Sequence, residues 1–580
     1  MECIVIYLSK ILDYEFSKEE LKKFVYNKFS KKGEDIVKAN IDAIMESTNY
    51  LKQINLNSEC KNNVKEISNN MFEIITHIKG NELPVSAFID NTDVRFDPAT
   101  SKLEKRGISD IVPRWLNNNC ITCNQCSFVC PHSVIRPFLL NEEEYNKAPQ
   151  IVKDKCIKTN EYYYLIAISV KDCTGCGLCM KTCPGKNKEK ALISKRQIDE
   201  IKNHEQEIFD YVNENVSYKD INNINTVKGS QFVKPKFEFC GACAGCGQPA
   251  YIKLLTQLFG KSLVISNATG CSSIYGGSVP SMPYSVPWAS SLFEDNAEYG
   301  YGMLISDKVI KNRIKNIMEE NPNNKNKELF DLWINNVDNY EITKKVYDEL
   351  DYDNVPEELV KLKDNLIKKS VWTIGGDGWA YDIGFGGIDH VIASGDNVNI
   401  LVLDTEIYSN TGGQSSKSSR IGSIASFASN GKKVCKKDLA KMMMSYPNAY
   451  VGAVSLGANM MQLIKAFNEA ENYNGPSIII AYAPCISHGI KGGMENSIEM
   501  EKLATKCGYF PLFRYNPLEQ KFHLDTKEVN FDLYDEFLNN QTRYNMTKKI
   551  NPDLGEELLK LNKEEAIRRY NYYKSLENVE

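Results

Sequence analysis

The chain has 580 residues, which exceeds what one hydrophobic core supports and favours three or four domains. Its 70 basic and 75 acidic residues give a net charge of -5, so charge gives no reason to expect a nucleic-acid partner. The mean hydropathy of -0.39 and the shortness of the apolar runs predict no membrane span, and no secretory signal opens the sequence.

In chain order, the sequence divides into five segments. Residues 1–50 are charged and helical, with one amphipathic stretch at 29–47, and they open without a complete domain pattern. Residues 51–115 form a small, mixed linking domain that contains Glu104-Lys105-Arg106 near its end. Three further segments follow: a cysteine-rich module at 116–197, a polar connector at 198–236 and an α/β region at 237–580.

Two cysteine runs with the same spacing define the module at 116–197. Each reads C-x2-C-x2-C-x3-C-P, the ligand pattern of a bacterial-type ferredoxin with two [4Fe–4S] clusters, in which the fourth cysteine of each run serves the other cluster. We therefore predict two clusters, one held by Cys120, Cys123, Cys126 and Cys183, and one by Cys173, Cys176, Cys179 and Cys130. The alternative, a pair of structural zinc sites, fits eight cysteines in two compact runs poorly.

The cysteines also indicate the compartment. Eighteen cysteines could form disulfides in a secreted protein, but the spacings are those of cluster ligands, which need a reducing environment. The sequence therefore predicts a cytoplasmic protein.

From about residue 237 short apolar runs alternate with helical segments. This alternation predicts a largely parallel sheet with helices on both faces, interrupted by a charged, helix-rich insertion at 307–369. The predicted strands are Leu263–Ser266, Val371–Ile374, Ile400–Leu403, Tyr450–Val454 and Ile478–Ala483.

Further cysteines are dispersed through this α/β region. Cys243 and Cys246 form a glycine-laced CxxC, whereas Cys271 and Cys485 each follow an apolar strand, where open α/β sheets place their sites. These four suggest a third cluster. Inert buried thiols are the alternative, and Cys240 leaves open which two of three neighbouring cysteines are used.

A third pattern indicates a diphosphate and metal site. One predicted strand leads into Gly375-Gly376-Asp377-Gly378, and another ends in a polar loop from Thr405 to Asn410. Mg²⁺ prefers few carboxylates together with phosphate oxygens, and glycines let backbone N–H groups approach an anion. The spacing favours thiamine diphosphate with Mg²⁺ over two ordinary turns.

The motifs together carry a family resemblance. CITCNQCSFVCPH, CTGCGLCMKTCPG, GACAGCG, ATGCSSIYGG, GGDGWAYDIGFGGIDH, DTEIYSNTGGQ and YAPCISHGIKGGM closely resemble pyruvate:ferredoxin (flavodoxin) oxidoreductases. The resemblance implies oxidative decarboxylation of pyruvate to acetyl-coenzyme A and CO₂, with electrons passing through three [4Fe–4S] clusters to ferredoxin or flavodoxin.

The resemblance also implies roles for individual residues. The third cluster falls on Cys243, Cys246, Cys271 and Cys485, which leaves Cys240 out. Mg²⁺ falls on Asp377, Thr405 and the carbonyl of Ile407, with Gly376 and Gly378 beside the diphosphate. Asn410 matches the catalytic asparagine beside the thiazolium and the substrate. The position of Gln248 is usually acidic in the family, so the amide removes a charge near the cofactor.

Family members are about twice as long, and this chain resembles only their C-terminal half. The implied fold is an α/β thiamine-diphosphate domain, an inserted-type α+β ferredoxin-like module and a small N-terminal α/β remnant, with 1–50 as the tail of a truncated domain. The other half would bind pyruvate and complete the coenzyme A site. We therefore expect a separate N-terminal partner chain and, by resemblance, a homodimeric assembly.

Two alternatives remain open at this point: an electron-transfer protein without carbon chemistry, and an oxidoreductase for another 2-oxoacid. Basic residues around the second cysteine run suggest a docking surface for an acidic acceptor, although such runs are often only solvated. They are Lys181, Lys186, Lys188, Lys190, Lys195 and Arg196.

Overall fold

The computed structural model describes residues 18–30, 33–46, 49, 71–92 and 96–577. It divides into two compact units, residues 1–73 and 74–580. Among the described residues, no helix is both long and apolar enough to cross a membrane.

In the part of the first unit that the structure describes, two helices lie wholly within the unit, α1 (Lys18–Phe29) and α2 (Glu34–Glu46). Their apolar faces meet through Leu21, Val25 and Ile44, which are all buried. The amphipathic stretch predicted at 29–47 thus forms a helix, as its periodicity indicates. The described part of residues 1–50 contains no strand, so the β part of the predicted α/β remnant falls outside the described residues.

The ferredoxin-like part is built from five short strands: β1 (Ile111–Trp115), β2 (Ile135–Leu140), β3 (Ile157–Lys158), β4 (Tyr163–Ile168) and β5 (Leu192–Arg196). All pair antiparallel, β1 with β5, and β2 and β3 with β4. Each cysteine run ends in one helical turn, Gln125–Phe128 or Leu178–Thr182. The predicted α+β character is confirmed.

The segment predicted as a polar connector, 198–236, adds to this core. Its helix Glu205–Asn215 is amphipathic and buries Ile208, Phe209 and Val212 against the strands of the ferredoxin-like part. The segment before the ferredoxin-like part is anchored to it as well, because Lys105 Nζ donates a hydrogen bond to Asp172 Oδ2 over 2.8 Å.

The α/β region contains one sheet of eight strands in the part of the chain that the structure describes. The strands are β6 (Leu263–Ala268), β7 (Trp288–Ser291), β8 (Ser370–Gly376), β9 (Asn399–Asp404), β10 (Tyr450–Val454), β11 (Ser477–Tyr482), β12 (Phe513–Asn516) and β13 (Lys521–Leu524). Their order is β13-β12-β10-β11-β9-β8-β6-β7. The pairs β10–β12 and β12–β13 are antiparallel and the other five pairs are parallel, so the predicted, largely parallel sheet is confirmed.

Helices cover both faces of this sheet, since separate buried clusters lie on either side of the same strands. The remaining α-helices are Met71–Thr76, Glu142–Lys147, Gln150–Lys153, Gln197–Lys202, Val227–Ser230, Pro249–Phe259, Cys271–Gly276, Asn296–Glu319, Lys327–Ile334, Tyr340–Glu349, Glu357–Lys361, Phe385–Ala393, Leu439–Met443, Met460–Asn472, Ser497–Lys506, Tyr534–Asn539, Thr542–Ile550 and Pro552–Leu576.

A π-helix spans Gly378–Ile383, directly after β8. Short 3₁₀ turns occur at Gly80–Glu82, Val85–Asn91, Thr100–Leu103, Asn117–Asn119, Tyr352–Asn354, Lys363–Asn365, Ile486–His488, Met494–Asn496 and Phe531–Leu533. The helix-rich insertion predicted at 307–369 has its own small core, which contains Ile314, Phe330, Trp333 and Val346.

Candidate functional site

The candidate site lies where the strand order of the large sheet reverses. From β6 the chain passes to β7 on one side, whereas from the adjacent β8 it passes to β9 on the other. Ligands of open α/β sheets bind in the crevice that such a reversal leaves at the carboxyl ends of the strands. A cleft of about 360 Å³ lies there, and its wall includes Gln248, Thr269, Gly270, Cys271, Phe293, Gly376, Asp377, Gly378, Trp379, Thr405, Ile407, Tyr408, Ser409, Asn410 and Thr411.

Three oxygen atoms converge at the base of this cleft. Thr405 Oγ1 lies 2.9 Å from Asp377 Oδ1 and 3.0 Å from the carbonyl oxygen of Ile407. A threonine hydroxyl carries one proton and can donate to only one of these acceptors. A fourth oxygen atom, Ser409 Oγ, lies 2.9 Å from Thr405 Oγ1 and 3.3 Å from the Ile407 carbonyl oxygen. A carboxylate, a carbonyl and two hydroxyl oxygens thus lie together, and such hard oxygen ligands suit Mg²⁺.

Burial shapes the protonation of this group. Asp377 is almost completely buried, and burial raises its pKa to about 7, with the nearby charge of Asp404 adding to the rise. Hydrogen bonds from Ser416 and Thr405 act in the opposite direction. A carboxylate in such a place remains charged only with further positive charge beside it, which a divalent cation would supply.

Gly376 and Gly378, the two glycines predicted beside the diphosphate, have different roles in the structure. A side chain at Gly378 would collide with the ring of Tyr408, whose nearest atom lies 2.4 Å from an added Cβ. Gly376, in contrast, has only the carbonyl oxygen of Leu403 at 4.0 Å, so its α-carbon faces open space. One glycine thus allows close packing, and the other leaves backbone accessible at the cleft.

The turn that carries Thr405 and Ile407 is fixed by Glu406 between them. Glu406 has φ = 57°, a left-handed conformation that residues other than glycine adopt only under constraint. Its side chain is fully buried and accepts hydrogen bonds from Arg420 Nε (2.9 Å), Lys436 Nζ (3.2 Å), Arg543 Nη2 (2.9 Å) and the Tyr509 hydroxyl. These cations hold the pKa of Glu406 well below its usual range despite the burial.

His488 supports the same turn from the other side. Its Nε2 lies 2.7 Å from the carbonyl oxygen of Thr405, and burial lowers its pKa to about 3, so the ring is neutral and donates through Nε2. Three residues earlier, Cys485 begins the same 3₁₀ turn. The histidine thus links a predicted cluster ligand to a predicted metal ligand.

The structure groups the cysteines of the ferredoxin-like part as the spacing predicts. For Cys126, burial raises the pKa, and three thiols add to the shift: Cys123, Cys120 and Cys183. Burial also raises the pKa of Cys179, and four nearby thiols add to the rise: Cys176, Cys173, Cys130 and Cys126. Each fourth cysteine therefore lies with the three cysteines of the other run, and Cys126 and Cys179 bring the two groups next to each other.

The dispersed cysteines form a third group beside the cleft. The pKa of Cys271 is raised to about 12. Burial is the main cause, and interactions with Cys485, Cys243 and Asp377 add to the rise. Burial raises the pKa of Cys246, and the nearby thiols of Cys485, Cys271 and Cys240 add to the rise. Cys271 also lines the cleft, so this group adjoins the oxygen atoms around Asp377.

Cys240 lies close to Cys246 of this group and also contacts the ferredoxin-like part. Its Sγ is 3.8 Å from the Pro131 carbonyl oxygen and 3.6 Å from His132 Nδ1. The CxxC loop approaches the ferredoxin-like part at Gly245 (φ = 77°), where an added Cβ would lie 3.4 Å from Cys176 Cβ and 2.7 Å from Met494 Cβ. Among the described residues, no three His, Cys, Asp or Glu side chains form a group that could hold a single metal ion.

The two remaining predicted residues also border the cleft. Gln248 is buried, and its Oε1 accepts a hydrogen bond from the Tyr275 hydroxyl at 3.2 Å. Asn410 is exposed at the mouth. Sequence reasoning missed Ser416, whose hydroxyl donates to Asp377 Oδ2 over 2.5 Å, although the serine-rich SSKSS after the predicted loop was a signal.

Three known families match parts of the chain. A family described as thiamine pyrophosphate enzyme, C-terminal TPP binding domain, matches residues 360–481, and one described as 4Fe-4S dicluster domain matches 119–187. A domain of unknown function, EKR, matches 54–109.

Curated relatives match the chain from end to end. A pyruvate-flavodoxin oxidoreductase of Klebsiella pneumoniae is 40% identical over 100% of this chain and 52% of its own length. A pyruvate:ferredoxin oxidoreductase of Moorella thermoacetica is 41% identical over 99% of this chain and 52% of its own. This chain is a homologue of those oxidoreductases.

A mitochondrial pyruvate dehydrogenase [NADP(+)] of Euglena gracilis is 37% identical over 99% of this chain and 34% of its own length. The resemblance seen in the motifs is therefore confirmed. The chain spans about half the length of the oxidoreductases that it matches.

The buried contacts of Glu406 lead to a stability prediction. Glu406→Gln leaves Arg420 and Arg543 without their buried counter-charge, so we expect a loss of about 3–5 kcal/mol in the free energy of unfolding. Urea unfolding measures it. The control Asp348→Asn removes an exposed ion pair with Lys344 and should cost under about 1 kcal/mol. Equal losses in both variants would contradict the account.

Proposed function

We propose that this chain is the cofactor-binding and electron-transferring part of a pyruvate:ferredoxin or pyruvate-flavodoxin oxidoreductase. The reaction is oxidative decarboxylation of pyruvate to acetyl-coenzyme A and CO₂. The observation that carries the proposal is the adjacency of two groups at one edge of the sheet. The oxygen atoms around Asp377 line the same cleft as Cys271, whose thiol interacts with Cys485 and Cys243, and this adjacency suits a two-electron reaction coupled to one-electron carriers.

The oxygen atoms fit Mg²⁺ in their spacing as well as their chemistry. At a Mg–O distance of about 2.0–2.1 Å, neighbouring ligands of an octahedron are separated by roughly 2.8–3.0 Å. Thr405 Oγ1 lies 2.9 Å from Asp377 Oδ1 and 3.0 Å from the Ile407 carbonyl oxygen. We infer that these three atoms are the protein ligands of the ion, and that diphosphate oxygens and water complete its shell.

Thiamine diphosphate, when bound, supplies an electron sink for the carbanion that decarboxylation produces. The chain's residues bind and orient it. Asp377, Thr405 and Ile407 hold the diphosphate through the ion, and Gly376 and Gly378 leave backbone accessible beside it. Gln248 offers a neutral amide where the family resemblance implies an acidic residue, so it orients the cofactor without repelling an anionic substrate. We assign Asn410, at the mouth, to contact with the reacting groups.

Twelve cysteines are proposed as the ligands of three [4Fe–4S] clusters: Cys243, Cys246, Cys271 and Cys485 beside the cleft, Cys173, Cys176, Cys179 and Cys130 in the middle, and Cys120, Cys123, Cys126 and Cys183 furthest out. The order follows from contacts. Gly245 faces Cys176, and Cys126 interacts with Cys179. Electrons would therefore leave through the cluster that Cys120 and Cys123, both half-buried, help to bind.

A complete enzyme requires more than this chain. Because the chain spans half the length of its relatives, we propose that a separate N-terminal part supplies the pyruvate pocket and completes the coenzyme A site. The assembly is proposed to be homodimeric and cytoplasmic, as the sequence predicts.

The main test separates cofactor binding from turnover. The anaerobically purified chain should bind thiamine diphosphate only when Mg²⁺ is present. The fluorescence of Trp379, which lines the cleft, measures this binding. Alone, it should form little acetyl-coenzyme A from pyruvate, and addition of the N-terminal part should restore turnover. Robust turnover by the chain alone would refute the dependence, and absent Mg²⁺-dependent binding would refute the carbon chemistry.

Asp377→Asn tests the metal ligands directly. The amide cannot neutralise Mg²⁺, so affinity for thiamine diphosphate should fall at least about tenfold, equivalent to about 1.4 kcal/mol. Asp389→Asn is the matched control, because Asp389 accepts from the Tyr446 hydroxyl away from the cleft. Isothermal titration at several Mg²⁺ concentrations measures both variants, and unchanged binding by Asp377→Asn would remove this carboxylate from the site.

The outermost cysteine group lies under a basic surface. Lys186, Lys188 and Lys190 are exposed near Cys183, and Ile121, which is 47% exposed, lies beside Cys120 and Cys123. We propose that an acidic ferredoxin or flavodoxin docks there.

Reversal of charge at this surface is the corresponding test. The variant with Lys186, Lys188 and Lys190 all changed to Glu should reduce ferredoxin or flavodoxin at least about tenfold more slowly at low salt, with a smaller effect at high salt. Stopped-flow reduction of the acceptor by the assembled enzyme measures it. Lys344, Lys345 and Lys361, exposed on the helical insertion, provide a control triple reversal. Equal rates in both variants would place the docking surface elsewhere.

A further inference from the structure

Lys253 is a buried lysine whose surroundings are unusual. It lies in the helix Pro249–Phe259 of the α/β region and is 1% exposed. Its ammonium group donates to the carbonyl oxygens of Ser127, Phe128 (2.8 Å) and Cys130 (3.2 Å), all in the ferredoxin-like part. In the part of the chain that the structure describes, no carboxylate lies within ion-pair distance of it.

A buried ammonium group without a carboxylate is costly, because carbonyl oxygens carry only partial charge. Burial accordingly lowers the pKa of Lys253 to about 8, whereas the negative charges of Cys130 and Cys126 act to raise it. The neighbouring cation Arg136 does not help, and it is already paired with Glu238. The side chains that would place full negative charge beside Lys253, as the thiolate ligands of clusters, are therefore Cys130 and Cys126.

These two thiolates belong to different groups. Cys126 lies with Cys120, Cys123 and Cys183, whereas Cys130 lies with Cys173, Cys176 and Cys179. Lys253 therefore lies close to both four-cysteine groups, at the point where they adjoin.

We propose that Lys253 is a fixed positive charge, contributed by the α/β region, that raises the reduction potentials of the two clusters in the ferredoxin-like part. The inference rests on the proposed function, because it requires clusters on these cysteines. Each cluster gains one electron on reduction and becomes more negative by one charge. A nearby cation in a low-dielectric interior stabilises the reduced form more than the oxidised form.

The position of Lys253 determines which clusters its charge favours. The same helix begins beside Gln248, which lines the cleft, and Lys253 lies about 6 Å further along its axis, at 1.5 Å per residue from Pro249. The charge therefore lies on the outward side of the cluster beside the cleft, and it favours electrons that have moved away from the cofactor. Lys253 is a positioning residue for charge rather than a catalytic residue.

Redox titration of the anaerobic, cluster-loaded chain, followed by electron paramagnetic resonance, tests the proposal. In Lys253→Met the ratio of reduced to oxidised form at a fixed potential should fall at least about tenfold for the two ferredoxin-like clusters, or about 59 mV for a one-electron couple. The cluster beside the cleft should keep its potential. Lys253→Arg, which keeps the charge, should restore the wild-type values.

Controls separate electrostatics from packing. Lys236→Met removes a half-buried lysine that donates to Gly260 at the other end of the same helix, and it should leave all three potentials unchanged. Lys253→Gln, which is neutral but keeps a hydrogen-bond donor, serves where the methionine variant assembles poorly. Reduced thermal stability with unchanged potentials in the neutral variants would overturn the proposal. Wild-type protein that fails to assemble clusters would instead overturn the proposed function.

Discussion

The buried carboxylate of Glu406 holds the turn on which the site depends. Thr405 and Ile407 flank it, and their oxygen atoms meet Asp377 only because the backbone between them takes a left-handed conformation. Arg420 comes from the loop after this turn, and Arg543 from a helix near the end of the chain. The cations therefore gather distant segments around one acid, and the geometry of the oxygen atoms that we propose as metal ligands is a consequence of that arrangement.

The large sheet and the ferredoxin-like part are joined through polar contacts between their backbones and a few buried side chains. The helix Pro249–Phe259 starts at the cleft and extends Lys253 into the carbonyl groups that precede and include Cys130. His132 and Cys240 lie in the same boundary, with His132 Nδ1 3.1 Å from the Cys240 carbonyl oxygen. These buried hydrogen bonds hold the sheet and the ferredoxin-like part together at this boundary.

Much of this arrangement could be predicted from the sequence. The five predicted strands are mainly apolar runs, the sequence pattern that is typical of buried parallel strands. β7 (WASS) was missed because it is short, polar and only half-buried, and β12 (FRYN) because it alternates and lies near an edge. The cysteine groups followed from spacing and family resemblance, since cluster ligands leave a regular pattern.

The supporting charges could not be predicted in this way. Arg543 lies 137 residues from Glu406 along the chain, and Lys253 lies 126 residues from Ser127, so no local pattern joins them. From the sequence of its helix alone, Lys253 would be predicted to be an ordinary surface lysine. Only the packing of two domains removes it from water and gives its charge a role.

Gly245 shows what such packing demands. Its positive φ and the nearness of Met494 and Cys176 leave no room for a side chain between the loop of the cleft cysteines and the next cysteine group. Electron tunnelling weakens steeply with each added ångström between redox centres. In the proposed electron path, a methyl group at this one position would therefore increase the distance between two clusters and slow electron transfer without altering any proposed ligand.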